Sequence, residues 1–256
     1  MRKITTVSLD LWQTLLIDDK EQAGRRAQFR IDGIYEALYS AGKDFPHQQL
    51  WKAYKDCART CRVIRSKGRD VSFGEQIAIF IDYIQPDSYK GLTSGLVKQI
   101  SRAYDLPFLR YPPPLHTAAV TVLSSLRELG YRLALISNTG MTPGATCRFY
   151  LEKLGVLHYF EALVFSDEMR LAKPSTKLFH SALDTLGVKP DQAVHVGDDV
   201  TNDVVGANLA GLNSIWISYG MDLARDRVAV RTRWKPDIII EDLDEVVTAV
   251  ETLNTS

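Results

Sequence analysis

Short apolar runs that end in polar residues or glycine recur along this chain. They cover residues 4–9, 132–136, 162–165, 193–196, 214–217 and 237–240. Each run predicts a buried β-strand, because runs of this length rich in aliphatic residues are typical of such strands. Apolar residues at helical spacing follow most runs, over 115–129, 146–154, 175–186, 202–210 and 243–253. Strands and helices in alternation predict an α/β fold with a parallel sheet covered on both faces.

The alternation is interrupted once, between about residues 18 and 111. No strand-like run occurs there, and apolar residues recur at helical spacing, as at Ile31, Ile34 and Leu38. The stretch ends in three consecutive prolines, which make a stiff extended connector. We therefore expect a helical cap domain inserted directly after the first strand. The expected boundaries are 1–17 and 112–256 for the core and 18–111 for the cap.

Composition limits the classes of partner. The 256 residues carry a formal net charge of +0 at pH 7, so no long-range field favours nucleic acid or an anionic membrane, and we expect neither partner. The first apolar run is too short for a signal peptide or a membrane span.

Cys57, Cys61 and Cys147 have no disulfide-framework spacing, which predicts a reducing, cytoplasmic location. Cys57 and Cys61 are expected in the core of one helix. The sequence assigns no oligomeric state.

Polar residues stand after four of the predicted strands. They are Asp10 after the first, Ser137 and Asn138 after the second, Lys173 after the third, and Asp198 and Asp199, with Asp203 behind them, after the fourth. Because the carboxyl ends of parallel strands meet at one edge of a sheet, we expect these side chains to converge on one cleft.

The acidic members of this set indicate a metal site. Carboxylates that lie close together raise one another's pKa unless a cation neutralises them, and Mg²⁺ prefers such oxygen ligands. Asp198 and Asp199 have the alternative role of capping the helix that follows. The hydroxyl and nearby backbone N–H groups of Ser137 suit a phosphoryl or carboxylate oxygen. Lys173 supplies a positive charge that keeps Asp10 ionised.

The segments DLWQT, ISN, KPSTKLF and GDDVTNDVVGA, in this order, resemble the motifs of the haloacid dehalogenase superfamily of hydrolases, chiefly phosphatases. The resemblance covers roughly residues 1–17 and 112–256, and the insertion matches that superfamily's first cap type in position. It implies a Rossmann-like fold and a small phosphorylated substrate, hydrolysed through an aspartyl-phosphate intermediate.

The resemblance also implies roles for individual residues. Asp10 would be the nucleophile, with Ser137 and Lys173 as phosphoryl-binding groups. We expect the substrate to contact Thr14, Ser137, Asn138 and Lys173. Mg²⁺ would be bound by Asp10, by the backbone carbonyl of Trp12 and by Asp198, with Asp199 and Asp203 more remote or acting through water.

Trp12 departs from the phosphatase pattern. Phosphatases of the superfamily normally carry an Asp there, which protonates the leaving group and activates water, and Trp can do neither. One outcome is a metal-dependent hydrolase of weak or unusual activity, which acts on substrates with good leaving groups such as acyl or aryl phosphates or uses an acid supplied by the cap. Three alternatives to a phosphatase also follow. A 2-haloacid dehalogenase resembles this chain in having an aromatic residue at the position, although GDDVTND keeps the acidic pattern that dehalogenases lack. Phosphonate hydrolysis would need a cap lysine such as Lys52 or Lys55. A regulatory binding protein would have lost turnover.

Three further features have structural interpretations. Arg25, Arg26 and Arg30 are expected on a polar helix face rather than against a substrate carboxylate. His195 lies within a predicted strand and is expected to be structural. Gln13 stands where the superfamily usually has Gly and is expected to narrow the space next to the nucleophile.

Overall fold

The computed structural model describes residues 4–221 and 235–255, and its centre is one parallel six-stranded sheet. The strands lie in the order β3-β2-β1-β4-β5-β6. Their bounds are β1 Thr6–Leu9, β2 Arg132–Ser137, β3 Ala162–Phe165, β4 Ala193–Gly197, β5 Asn213–Ile217 and β6 Ile238–Ile240. This arrangement confirms the predicted α/β, Rossmann-like class, and the strand positions agree closely with the apolar runs.

Strand β1 lies at the centre of the sheet. Leu9 pairs with Leu135 of β2 on one side and with Val196 of β4 on the other. All four residues of β1 are buried, which explains why the strand reads as a continuous run rather than an alternating one. The chain order reverses between β1 and β4, and in open parallel sheets the crevice beyond the carboxyl ends of such strands is the usual ligand site.

Helices cover both faces of the sheet. Their bounds are α5 Ala119–Glu128, α6 Gly144–Lys153, α7 Ser166–Met169, α8 Thr176–Leu186, α9 Gly206–Ala210 and α10 Val246–Thr255. Side chains of α5, α6 and α10 pack in the apolar cluster on one face, represented by Leu123, Leu151 and Val250. Those of α8 and α9 pack in the cluster on the other face, represented by Phe179 and Ala207.

Four helices lie between β1 and α5. Their bounds are α1 Lys20–Ser40, α2 His47–Arg65, α3 Phe73–Ile84 and α4 Ser94–Arg110. We call this segment the helical insertion. It encloses an apolar cluster of its own, which contains the predicted positions Ile31, Ile34 and Leu38 and the fully buried Cys57 and Cys61. The prediction that both cysteines are core residues of one helix is confirmed. The division into a core and a separate cap domain stays a prediction.

Two connecting segments join the helical insertion to the sheet, and they lie side by side. The amide of Ile17 donates to the carbonyl of Pro114 over 3.0 Å, and the amide of His116 donates to the carbonyl of Leu15 over 2.8 Å. The entry and exit of the insertion are therefore paired next to the carboxyl end of β1. None of the helices in the described ranges is both long and apolar enough to cross a lipid bilayer.

Candidate active site

A pocket of about 230 Å³ opens where the chain leaves β1 and β4. Its wall contains Asp10, Trp12, Gln13, Asn138, Lys173, Asp198, Asp199, Asn202 and Asp203. Seven of the nine residues singled out in the sequence are thus brought together at one sheet edge. Among the described residues, Ser137 and Thr14 are not in this wall, and both are fully buried. Their proposed contacts with substrate stay predictions.

Lys173 is the buried centre of the site. Its Nζ donates to Oδ1 of Asp10 over 2.5 Å and to Oδ1 of Asp203 over 2.6 Å, and the residue is 2% exposed. Asn138 fixes the lysine backbone, since Nδ2 donates to the Lys173 carbonyl over 3.1 Å and Oδ1 accepts from its amide over 2.9 Å. Asn138 therefore ties the loop after β2 to the loop that carries the ammonium group.

Asp203 is held from three directions. Besides Lys173, its Oδ1 faces Nε2 of His195 at 3.2 Å, and its Oδ2 accepts from the amide of Asp199 over 2.9 Å. The predicted helix over 202–210 begins here as a π-helical turn, Val200–Val205, a distortion that often marks functional sites. A Cβ on Gly197 would lie 2.3 Å from Cγ of Asp203, so only glycine leaves room for this carboxylate.

His195 supports Asp203 from within the sheet. The ring is fully buried, and burial lowers the pKa of His195, so the imidazole is neutral near pH 7. Because Nε2 faces a carboxylate, it carries the proton, and Nδ1 accepts from Oγ of Ser8 at 2.9 Å. The expectation that His195 is structural agrees with this placement, which also orients Asp203.

One buried ammonium group cannot balance three carboxylates. Asp10, Asp198 and Asp203 each offer a carboxylate oxygen, and these atoms lie within 4.8 Å of one another. Burial raises the pKa of Asp10 to about 7, with Lys173 opposing and Asp203 adding to the rise. Burial, with Asp203 and Asp10 nearby, raises the pKa of Asp198 to about 8. Asp203 differs because Lys173 and His195 overcome the effect of burial and hold its pKa well below the usual range.

This donor set fits a hard divalent cation. When ionised, the three carboxylates together with Lys173 carry a net charge of −2, which a divalent cation cancels. Carboxylate oxygens are the ligands that Mg²⁺ prefers. Asp198 is well placed among them, because its side chain is only partly buried at the pocket wall. Asp203 already binds three protein groups, which suits an indirect role.

The remaining predicted ligands have other contacts as well. Oδ1 of Asp199 caps the turn that follows it and accepts from the amide of Asn202 over 2.8 Å. The indole of Trp12 lies edge-on to the ring of Phe108 at the end of α4, with centroids 5.8 Å apart. The Trp12 side chain therefore packs against the helical insertion. The roles of Asp199 and Trp12 as metal ligands stay predictions.

A second buried network joins the helical insertion to the site loops, and no motif or spacing in the sequence indicates it. Asp70, in the loop between α2 and α3, accepts through Oδ2 from Nε of Arg65 over 2.9 Å and from Oγ of Ser166 over 2.6 Å. Oγ of Ser166 in turn accepts from the amide of Thr139, next to Asn138. Asp70 and Ser166 lie 96 positions apart in the chain, so no local pattern could link them.

Asp70→Ala is expected to destabilise the protein by about 3 kcal/mol, because it leaves Arg65 without the fully buried carboxylate that pairs with it. Asp56→Ala is the matched control. Asp56 pairs with the exposed ends of Lys52 and Arg59 on α2, and its removal should cost less than about 1 kcal/mol. Urea unfolding of both variants measures the difference. Equal losses in the free energy of unfolding would show that the buried Asp70 network stabilises the protein no more than an exposed ion pair does.

The arginines of α1 differ from expectation. Arg25 lies on the surface and pairs with Glu21, as predicted for a polar helix face. Arg26 and Arg30, in contrast, are 6% and 3% exposed. Arg30 donates through Nε to the carbonyl of Tyr104 and through Nη1 to the hydroxyl of Tyr54, and its guanidinium lies over both rings. The aromatic and carbonyl partners that allow burial come from distant parts of the chain.

Comparison with known proteins gives one relative that aligns with the whole chain, whereas this chain spans only about half the length of several other relatives. It is 32% identical over 263 residues to the glyceraldehyde 3-phosphate phosphatase of Pyrococcus furiosus, covering 100% of this chain and 97% of that one. It is 33% identical over 152 residues to the phosphoserine phosphatase of Thermus thermophilus, covering 59% of this chain but only 57% of that enzyme.

The fold has solved counterparts. A 2-haloacid dehalogenase from Pseudomonas syringae aligns with a TM-score of 0.69 and 19% identity, covering 99% of this chain and 100% of that one, a likeness that concerns the fold alone. The family model for haloacid dehalogenase-like hydrolases matches residues 4–211. That match spans strands β1 to β4, the helical insertion and every residue of the pocket, and with the relative from Pyrococcus it establishes that the chain belongs to the haloacid dehalogenase-like hydrolase family.

Proposed function

We propose that this protein is a Mg²⁺-dependent phosphatase that hydrolyses a small phosphorylated metabolite through an aspartyl-phosphate intermediate on Asp10. The observation that carries the proposal is the Lys173 ammonium group held between the buried carboxylates of Asp10 and Asp203. A lysine in this position favours the ionised form of Asp10, which attacks, and offsets the charge of an anionic substrate. The phosphatases among the relatives support the reaction type.

The steps assigned to this chain's residues are few. An oxygen of Asp10 attacks phosphorus, and the bond to the leaving group breaks as the acyl phosphate forms. Water then attacks the same phosphorus, the bond from phosphorus to Asp10 breaks, and the proton lost by the water passes to solvent, so that phosphate is released and the Asp10 carboxylate is restored. Lys173 screens the repulsion between carboxylate and phosphoryl oxygens in both steps. We assign the metal to Asp10, the Trp12 carbonyl and Asp198, where it would add positive charge at the phosphoryl group.

The wall residues also limit which leaving groups can depart quickly. Oδ1 of Asp199 accepts a backbone hydrogen bond, and the oxygens of Asp203 accept from three groups. Asp10 and Asp198 are assigned to attack and to the metal. With Trp12 in the wall, each carboxyl group among the described wall residues already has another assigned role, so substrates with good leaving groups, such as acyl or aryl phosphates, should react fastest.

The test of the function is hydrolysis of acetyl phosphate and p-nitrophenyl phosphate with Mg²⁺, after treatment with EDTA, and after Mg²⁺ is restored. We expect turnover that is lost with EDTA and returns with Mg²⁺. Turnover unaffected by EDTA, or no turnover under conditions where Mg²⁺ binding is demonstrated by calorimetry, would overturn the proposal. Assays with 2-chloropropionate would then examine the dehalogenase alternative that Trp12 suggests.

Trp12→Asp should raise turnover of alkyl phosphates such as glycerol phosphate by about 10²-fold, while acetyl phosphate turnover changes much less. The reason is that a new carboxyl group can protonate the departing alkoxide, whereas acetate departs without a proton. Trp12→Asn is the matched control, because it leaves the same space beside Phe108 without an acid. Equal effects of Asp and Asn would show that Trp12 does not select the leaving group. The measurement is kcat/KM for both substrates in the three proteins.

A further inference from the structure

Gln13 has a backbone conformation that favours glycine, with a φ of 55°. Its side chain compensates by closing the loop after the nucleophile. Nε2 donates to the carbonyl of Asp18 over 2.8 Å, and Oε1 accepts from the amide of Asp18 over 3.1 Å. The amide of Gln13 also donates to the carbonyl of Leu16. A glutamine here therefore does what glycine could not, since it bonds the Asp10 loop to the entry of the helical insertion.

Arg26 extends this connection to the exit of the insertion. From α1, its Nη2 donates to Oδ2 of Asp18, and its Nη1 donates to the carbonyl of Tyr111 over 2.9 Å. Asp18 precedes α1 and Tyr111 follows α4. The Arg26 side chain is 7% exposed, so the ion pair is shielded from solvent and screened little by salt. One guanidinium group thus holds both connecting segments.

Two further contacts restrain the same loop. The hydroxyl of Tyr219, at the carboxyl end of β5, donates to the carbonyl of Gln13 over 2.9 Å. Trp12 packs edge-on against Phe108 in the last turns of α4. Asp10 is thus followed, two and three positions later, by side chains that contact the insertion or its entry. A movement of the insertion relative to the sheet would therefore displace the loop that follows Asp10.

We propose that Gln13, Asp18 and Arg26 form a clasp that couples the position of the helical insertion to the position of Asp10, which makes Gln13 and Arg26 positioning residues. Gln13 fixes the loop that begins at Asp10, and Arg26 fixes the segments that carry the insertion. The inference rests on the proposed function only for its turnover readout. The clasp itself is a structural connection that can be measured without a substrate.

The variant Gln13→Gly distinguishes an effect of the clasp on turnover from an effect on the stability of the protein. Glycine relieves the positive φ but removes both side-chain hydrogen bonds to Asp18. We expect the thermal midpoint to stay near the wild-type value while kcat for p-nitrophenyl phosphate falls about tenfold and KM changes little, because displacement of a nucleophile acts on the chemical step. If Gln13 only stabilised the fold, kcat would fall only when the thermal midpoint also fell, and a variant with a wild-type midpoint would keep the wild-type kcat.

Arg26→Met tests the other end of the clasp, and Arg25→Met is its matched control. Arg25 lies on the same helix, but its ion pair with Glu21 is solvent-exposed. Loss of this pair should therefore change neither kcat nor the rate of amide hydrogen exchange in the loop of residues 13–18. If Gln13 and Arg26 act through one connection, the double variant Gln13→Gly/Arg26→Met should lose little more kcat than either single variant. Losses that multiply in full would overturn the single connection.

Hydrogen exchange supplies a readout that needs no turnover. Exchange of the amides of residues 13–18, followed by mass spectrometry, should speed up several-fold in Gln13→Gly and in Arg26→Met but not in Arg25→Met. Unchanged exchange in the first two variants would overturn the clasp. Faster exchange with unchanged kcat would overturn the positioning role. If the wild type hydrolyses no phosphate ester, the proposed function fails, and exchange still decides whether the clasp exists.

Discussion

Asp10→Asn is expected to lower kcat for acetyl phosphate and p-nitrophenyl phosphate by about 10³-fold or more. The amide keeps the shape of the side chain but cannot attack phosphorus. The variant should fold, because Lys173 keeps Asp203 as a buried partner at 2.6 Å. Steady-state kinetics, with circular dichroism to confirm folding, measure the loss.

Asp184→Asn controls for the charge change, since Asp184 is exposed on α8 and is not part of the wall of the pocket. Its kcat should equal that of the wild type. A folded Asp10→Asn protein that retains more than about a tenth of the wild-type kcat would contradict the assignment of Asp10 as nucleophile.

Lys173→Met should be the most destabilising substitution in the site, costing about 3–5 kcal/mol of the free energy of unfolding. Methionine fills a similar volume, so the loss arises from two buried carboxylates left without their cation. Turnover should also fall by about 10²-fold or more, because the charge between Asp10 and an anionic substrate is no longer offset. Urea unfolding at pH 7 gives the first quantity, and kcat/KM for acetyl phosphate the second.

Lys177→Met is the matched control for Lys173→Met, because Lys177 is exposed in the first turns of α8 and should change stability by less than about 0.5 kcal/mol. The double variant Lys173→Met/Asp203→Asn should recover part of the loss, since one of the two unpaired charges is gone. A Lys173→Met protein as stable as the wild type would show that the carboxylates do not depend on this ammonium group.

The sheet could be predicted because its signal is local. Continuous runs such as strand β4 reflect burial on both faces, and the polar residues that follow several of these runs lie at the shared edge. That reasoning placed Asp10, Lys173 and Asp198 in one pocket. The helical insertion was predictable for a similar reason, because residues such as Ile31 and Leu38 are spaced at helical periodicity and buried together.

Contacts between distant parts of the chain could not be predicted in the same way. Whether Arg26 is solvated or buried depends on Tyr111, which lies 85 positions further along. The bond between Asp70 and Ser166 likewise appears only once the α2–α3 loop has folded against the site. The sequence shows Gln13 as a departure from the family pattern, but the pair of hydrogen bonds to Asp18 that explains it exists only in the folded loop.

The most direct test of the central claim is rapid-quench mass spectrometry of the intact protein after mixing with acetyl phosphate and Mg²⁺. We predict that the wild type gains the mass of one phosphoryl group, that peptide analysis places the group on Asp10, and that Asp10→Asn gains none. Turnover without any such species, or a phosphoryl group on another residue of the wild type, would contradict the proposal that Asp10 is the nucleophile.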